Sequence, residues 1–180
     1  MTEATNFADR IGERYPEGLT GILALGGTRT TYVLAQNTQN VDPGRIDRMD
    51  YYADFASDLL RKLLTSFFEL GGQNIVSSVL SYQQLQNERG TEYAKVTAAL
   101  CRILMQGDWV GFYHAQEADP YFVGIDTLLH LPEDSFAYQL GLECVRFNQT
   151  WSYQEGRRKI IWEVAPIPLY SIWNAHRVMG

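Results

Sequence analysis

The sequence predicts an α/β fold in a single domain, a mainly parallel sheet flanked by helices. Short apolar runs closed by glycine or proline alternate with longer amphipathic stretches, in the order strand, helix, strand, helix, strand, helix, strand. The run NIVSSVLSY (74–82) is largely apolar without strict alternation, as suits a strand covered on both faces. A chain of 180 residues with 46% hydrophobic and 20% charged side chains has the composition of one ordinary globular core.

The elements follow in order. Residues 1–18 read as an irregular or partly helical arm. Residues 21–27 are a strand closed by Gly26-Gly27, and TTYVLAQ (30–36) reads as a second extended piece. Pro43-Gly44 marks a turn. From about Asp47 to Leu70 runs the clearest helix. Met49, Tyr52, Ala56, Leu59, Leu60, Leu63, Phe67 and Leu70 recur at helical spacing on one face, with Asp47, Asp50, Asp54 and Asp58 opposite. Gly71-Gly72 ends it. A second helix is expected over 91–106, with Thr91 as N-cap and Gly107 as terminator. WVGFYHA (109–115) reads as a strand, and FVGIDTLLHL (122–131) is ambiguous. Residues 132–149 read as a helix with Pro132 near its first turn. KIIWEVAPIPL (159–169) reads as a strand ended by its prolines, with a short helix over the last ten residues.

Charge and composition exclude several classes. A net charge of −6 and a pI near 5.0 argue against nucleic acid and anionic membrane surfaces as partners. No apolar run reaches the ~18 residues of a membrane span, and the first residues carry no apolar leader. Cys101 and Cys144 sit in apolar helical contexts and read as free buried thiols, so a cytoplasmic location is expected.

Ligands of a parallel sheet bind beyond the carboxyl ends of its strands, which singles out Gly26, Gly27, Thr28, Arg29 and Thr30. Glycines let backbone amides approach a phosphate, and Thr28 and Arg29 add donors and charge. The same Gly-Gly turn also serves as a plain tight connection, and neither G-x-G-x-x-G nor a Walker motif is present. Asp50 and Asp54 lie one helical turn apart, but their face opposes the apolar stripe and belongs to water. His114, Asp119, Asp126 and His130 lack zinc-site spacing, and Ser77, Ser78 and Ser81 lack a nucleophile elbow. GRRK (156–159) is either a solvated turn or a small anion site.

In this order the elements resemble the cis-prenyltransferase superfamily, nearest its tuberculosinol-type diterpene synthase branch. GGTRTT fills the place of the family's Asp-Gly-x-x-Arg-Trp loop. MDYYADFASDLLRKLLTSFFELGGQNIVSSVLSYQQLQNERG resembles its first long helix, second strand and following loop, and TEYAKVTAALCRILMQGDWVGFYHA the next helix and strand. The resemblance covers roughly 20–125, and IIWEVAP fits more loosely. It implies a prenyl diphosphate ligand at Gly26–Thr30 and Mg²⁺ as cofactor. It also implies an oligomer, with itself or with another cis-prenyltransferase-like chain. The departures are specific. Gly26 stands where the family has its metal-organising aspartate, Thr31 replaces the tryptophan, Tyr82-Gln83-Gln84 follow the second strand, and the arginine-rich segment has no counterpart. The expectation is a divergent terpene synthase or prenyltransferase acting on an allylic diphosphate. The alternative is a catalytically inactive subunit that supports an active partner.

Overall fold

The computed structural model describes residues 3–24, 28–38, 49–85 and 91–165. The helices are α1 (Glu3–Arg14), α2 (Thr28–Thr38), α3 (Met49–Glu69), α4 (Tyr82–Leu85), α5 (Thr91–Leu104), α6 (Gly107–Ala115), α7 (Ile125–Leu129) and α8 (Phe136–Thr150). The strands are β1 (Leu19–Leu23), β2 (Gly72–Leu80), β3 (Ala118–Val123) and β4 (Arg158–Val164). They form one four-stranded, wholly parallel sheet in the order β1-β2-β4-β3, as the α/β reading requires.

Alternation along the strands divides the sheet into two faces. Ile75 and Val79 of β2, Ile160, Trp162 and Val164 of β4, and Phe122 of β3 join the main core. There they meet Leu60 and Leu64 of α3, Cys101 and Leu104 of α5, Trp109 of α6 and Leu140 of α8. Val123 and Ile161, packed by Val76 and Tyr121, form a small cluster on the other face. Cys101 and Cys144 are free and buried, and burial pushes both thiols up, Cys144 to about 12.

The structure corrects several sequence readings. TTYVLAQ is helical, not extended: Tyr32 is buried edge-on against Tyr52 and Phe55, at ring distances of 5.7 and 5.4 Å. WVGFYHA is α6, not a strand. Trp109, Phe112 and Tyr113, spaced three and four apart, are its buried residues. Trp109 Nε1 donates to Ser57 Oγ at 2.6 Å, Tyr113 donates to Leu104 O at 2.8 Å, and Trp162 Nε1 donates to the Tyr113 hydroxyl at 3.0 Å. The strand of that region is ADPYFV. The expected helix at 132–149 starts later, at Phe136, with Ser135 as its N-cap accepting from Tyr138 N at 3.1 Å, so Pro132 lies outside it. The buried stripe of α3 is rotated from the expected one. It runs through Tyr52, Ala56, Leu60, Leu64 and Phe68, whereas Leu63 and Leu70 are exposed. The end of the expected strand 159–169 and the expected terminal helix lie outside the described residues.

One buried charge organises the entry into β4. Asp119, 3% exposed, accepts from Trp151 Nε1 at 3.0 Å and from Gln154 N at 2.9 Å, and Arg157 Nη1 lies 3.3 Å from it. Arg157 also donates to Tyr113 O at 3.3 Å. The neighbouring edge of β3 is closed by side chains. Asn148 donates to Phe122 O at 2.8 Å and accepts from Phe122 N at 3.0 Å. Pro120 has no N–H to offer, and its carbonyl accepts from the Tyr153 hydroxyl at 3.1 Å.

Removing one partner of a buried ion pair strands the other in a medium that solvates it poorly. Asp119→Ala is expected to lower unfolding stability by about 3–5 kcal/mol in urea titrations. Glu143→Ala breaks a half-exposed bridge to Arg102 at 2.7 Å and is expected to cost no more than about 1 kcal/mol.

Candidate functional site

The carboxyl ends of all four parallel strands open on one edge of the sheet, where such folds place ligands. β1 passes through residues 24–27 into α2, whose first residues are Thr28, Arg29 and Thr30. Gly26 and Gly27 lie outside the described residues. Thr30 is exposed. The first N–H groups of a helix have no intrahelical partner and carry the positive end of its dipole, and in α2 these belong to the residues from Thr28 on. Tyr32, one turn further on, anchors that helix to α3 through Tyr52 and Phe55.

Beside it, β2 ends in a reciprocal cap. Ser81 N donates to Gln84 Oε1 at 2.7 Å, and Gln84 N donates to Ser81 Oγ at 3.3 Å. β4 ends at Val164, and Ala165 after it is left-handed at φ 47° and donates its N–H to Leu80 O at 2.6 Å. β3 ends at Gly124, φ 82°, the turn into α7. Asp126 follows, lining a cavity of about 350 Å³ with Tyr121, Leu129, Val145 and Gln149. From the sheet order, β3, which leads into this helix, lies three strand spacings from β1, roughly 14 Å.

The remaining candidates separate from this edge. Asp54 and Asp58 are exposed, and Asp58 lies 4.0 Å from Arg61, so the solvated-face reading holds for these two. His114 stacks on Trp151 at 5.1 Å, and His130 Nδ1 is 2.6 Å from Asp126 O. Ser77 is buried in the sheet opposite Trp162, and among the described residues its hydroxyl has no hydrogen-bond partner. GRRK starts in an exposed turn at Gly156, as the solvated-turn reading has it, but its arginines are engaged. It lies at the amino end of β4, where Arg157 is held by Asp119 and Arg158 donates to Gln116 O at 3.1 Å while covering the Phe68 ring at 4.9 Å. Among the described residues no group of three or more His, Cys, Asp or Glu is placed to hold a metal ion. Among them, too, no helix is long and apolar enough to cross a membrane.

One ionisable residue went unnoticed in the sequence. Glu163 interrupts the apolar run KIIWEVA and occupies the last turn of the pleat on β4, opposite Ser78 of β2 and Val123 of β3. Burial pushes its carboxyl above the ordinary value of 4.5. An acid in the middle of an apolar strand was the available signal.

No family model matches the chain, and no curated protein does. Among solved structures it is similar to lavandulyl diphosphate synthase from Lavandula x intermedia, determined in complex with dimethylallyl diphosphate. The TM-score is 0.55 at 13% identity, over 90% of this chain and 61% of that one. The chain thus has a cis-prenyltransferase-like fold and spans about three fifths of that synthase's length.

A carboxyl raised by folding favours the protonated form in the native state. The stability this linkage contributes is therefore complete below the unfolded pKa and lost as pH rises through the folded one. Glu163→Gln is expected to remove that loss, so that thermal unfolding of the variant falls less steeply than wild type as pH rises above about 4.5.

Proposed function

We propose that the chain binds an allylic prenyl diphosphate at the junction of β1 and α2 and acts in isoprenoid metabolism as a divergent prenyltransferase or terpene synthase. One observation carries the reading: in a cis-prenyltransferase-like sheet, the first strand ends at Leu23 and the next described element is an 11-residue helix that starts at Thr28. A diphosphate is an anion of the kind that helix N-termini receive through unpaired backbone N–H groups. Gly26 and Gly27 let the chain come close to it, and Thr28, Arg29 and Thr30 supply hydroxyls and a guanidinium. The neighbour's bound dimethylallyl diphosphate supports the same ligand class.

The chemistry open to such a site is heterolysis of the allylic carbon–oxygen bond. The electron pair leaves with the diphosphate, and donors aimed at the leaving group stabilise its developing charge. The N–H groups opening α2 and Arg29 take that role here. Magnesium, when bound, would assist departure of the diphosphate as a Lewis acid. With Gly26 in the position of the loop aspartate, no step here is assigned to it.

Isothermal titration of the purified chain with dimethylallyl and geranylgeranyl diphosphates, with diphosphate release assayed in parallel, tests the reading. Arg29→Ala is expected to weaken binding about 10- to 100-fold, the loss of a charged hydrogen bond of about 1.5–3 kcal/mol. Binding that is insensitive to Arg29→Ala, or absent at millimolar ligand, contradicts the site. Binding without diphosphate release contradicts the enzymatic half of the proposal and leaves the supporting-subunit role.

A further inference from the structure

The carboxyl end of β3 is set in a fixed frame. Asn148 of α8 commits both ends of its amide to the backbone of Phe122, which ties that helix to the strand. Gly124, at φ 82°, then turns the chain into α7. α7 lies close on α8 at Gly141, where a Cβ would stand 3.0 Å from both Leu128 Cβ and Leu129 Cδ2. The Tyr121 ring is held against the Tyr153 ring at 5.6 Å. Between these pieces lies the cavity of about 350 Å³, a size at which small-molecule sites occur.

Its walls are of two kinds. Ile125, Leu129 and Val145 are half-buried and apolar, and Tyr121 adds an aromatic ring. Asp126 is the only charged side chain among the described residues that line it. His130 Nδ1 lies 2.6 Å from the Asp126 backbone oxygen and not from its carboxylate. Among the described residues no cation pairs with that carboxylate. One carboxylate is too few for a resident metal ion, and no group of three ligands stands there. An anion is opposed by Asp126 and by the chain's net charge of −6. A neutral apolar ligand leaves the carboxylate unmatched.

We propose that this cavity is a separate ligand site and that it takes a small organic cation, an ammonium group on an apolar body. The ammonium donates to the Asp126 carboxylate, a charge-assisted bond, and the Tyr121 ring attracts the same charge. The apolar body packs on Leu129 and Val145 and leaves water as it does so. The site shares no residue with the β1–α2 junction, so the loss of either by experiment leaves the other standing.

Three probes of similar shape and different charge test it: phenethylammonium, phenethyl alcohol and hydrocinnamate. Each is titrated into the isotope-labelled full chain to about 10 mM while amide chemical shifts are followed. The expected result is saturable shifts with phenethylammonium, centred on residues 121–129 and 145–149, and binding of the alcohol weaker by about tenfold or more. Hydrocinnamate is expected not to bind. Asp126→Asn should weaken the ammonium by a similar factor, and Gln149→Arg, which tethers a cation beside the carboxylate, should abolish its binding. Both positions are exposed, so melting temperatures should match wild type. Absence of a saturable shift with phenethylammonium overturns the proposal, as do shifts centred outside these residues. Equal affinity for the three probes, or binding unaffected by Asp126→Asn, overturns it too, because charge then plays no part.

Discussion

The last strand of this sheet in the chain is not the last in space. β4 enters between β2 and β3, and the buried carboxylate of Asp119 is what holds its entry in place. Asp119 lies on β3, one strand over, in register with Lys159. It collects the Trp151 indole, the Gln154 amide and the Arg157 guanidinium, so the whole connection from α8 to β4 is tied to a point on the neighbouring strand. Further along β4 the pairing with β2 brings Glu163 to Ser78, and after a shift of register Ala165 N donates to Leu80 O. The carboxyl edge inherits its geometry from an anchor at the opposite end of the sheet.

The aromatic residues serve the same purpose from the helical side. Trp109 meets Phe112, Tyr113 and Trp162 at ring distances of 5.2 to 5.8 Å. Every polar tip in that cluster finds a partner: Ser57 for Trp109, Leu104 O for Tyr113, and the Tyr113 hydroxyl for Trp162. Burial pushes the Tyr113 phenol well above its ordinary value. Much of the chain's aromatic content is thereby assigned to packing around the central strand.

The α/β class was legible because the long elements have strong periods: α3, α5 and β2 fall within a few residues of their expected bounds. Short aromatic segments were not. TTYVLAQ and WVGFYHA are rich in residues that favour strands, yet strand propensity measures the surface a side chain packs on, and here helical faces supplied it. The i, i+3, i+4 spacing of Trp109, Phe112 and Tyr113 was present and outweighed by residue type. The role of Asp119 could not be read locally, since its partners lie 32 to 38 positions away. At the carboxyl end of β1, the sequence reading took the residues from Thr30 on as extended and missed that a helix starts at Thr28.

That helix start is the centre of the functional account, and its occupancy is directly measurable. Hydrogen–deuterium exchange of the intact chain with and without dimethylallyl diphosphate reports which backbone amides a ligand protects. The account predicts slowed exchange concentrated at residues 25–32, with peptides covering α7 and the cavity beside Asp126 unchanged. Protection confined to residues 121–129, with 25–32 exchanging as in the free chain, would contradict it.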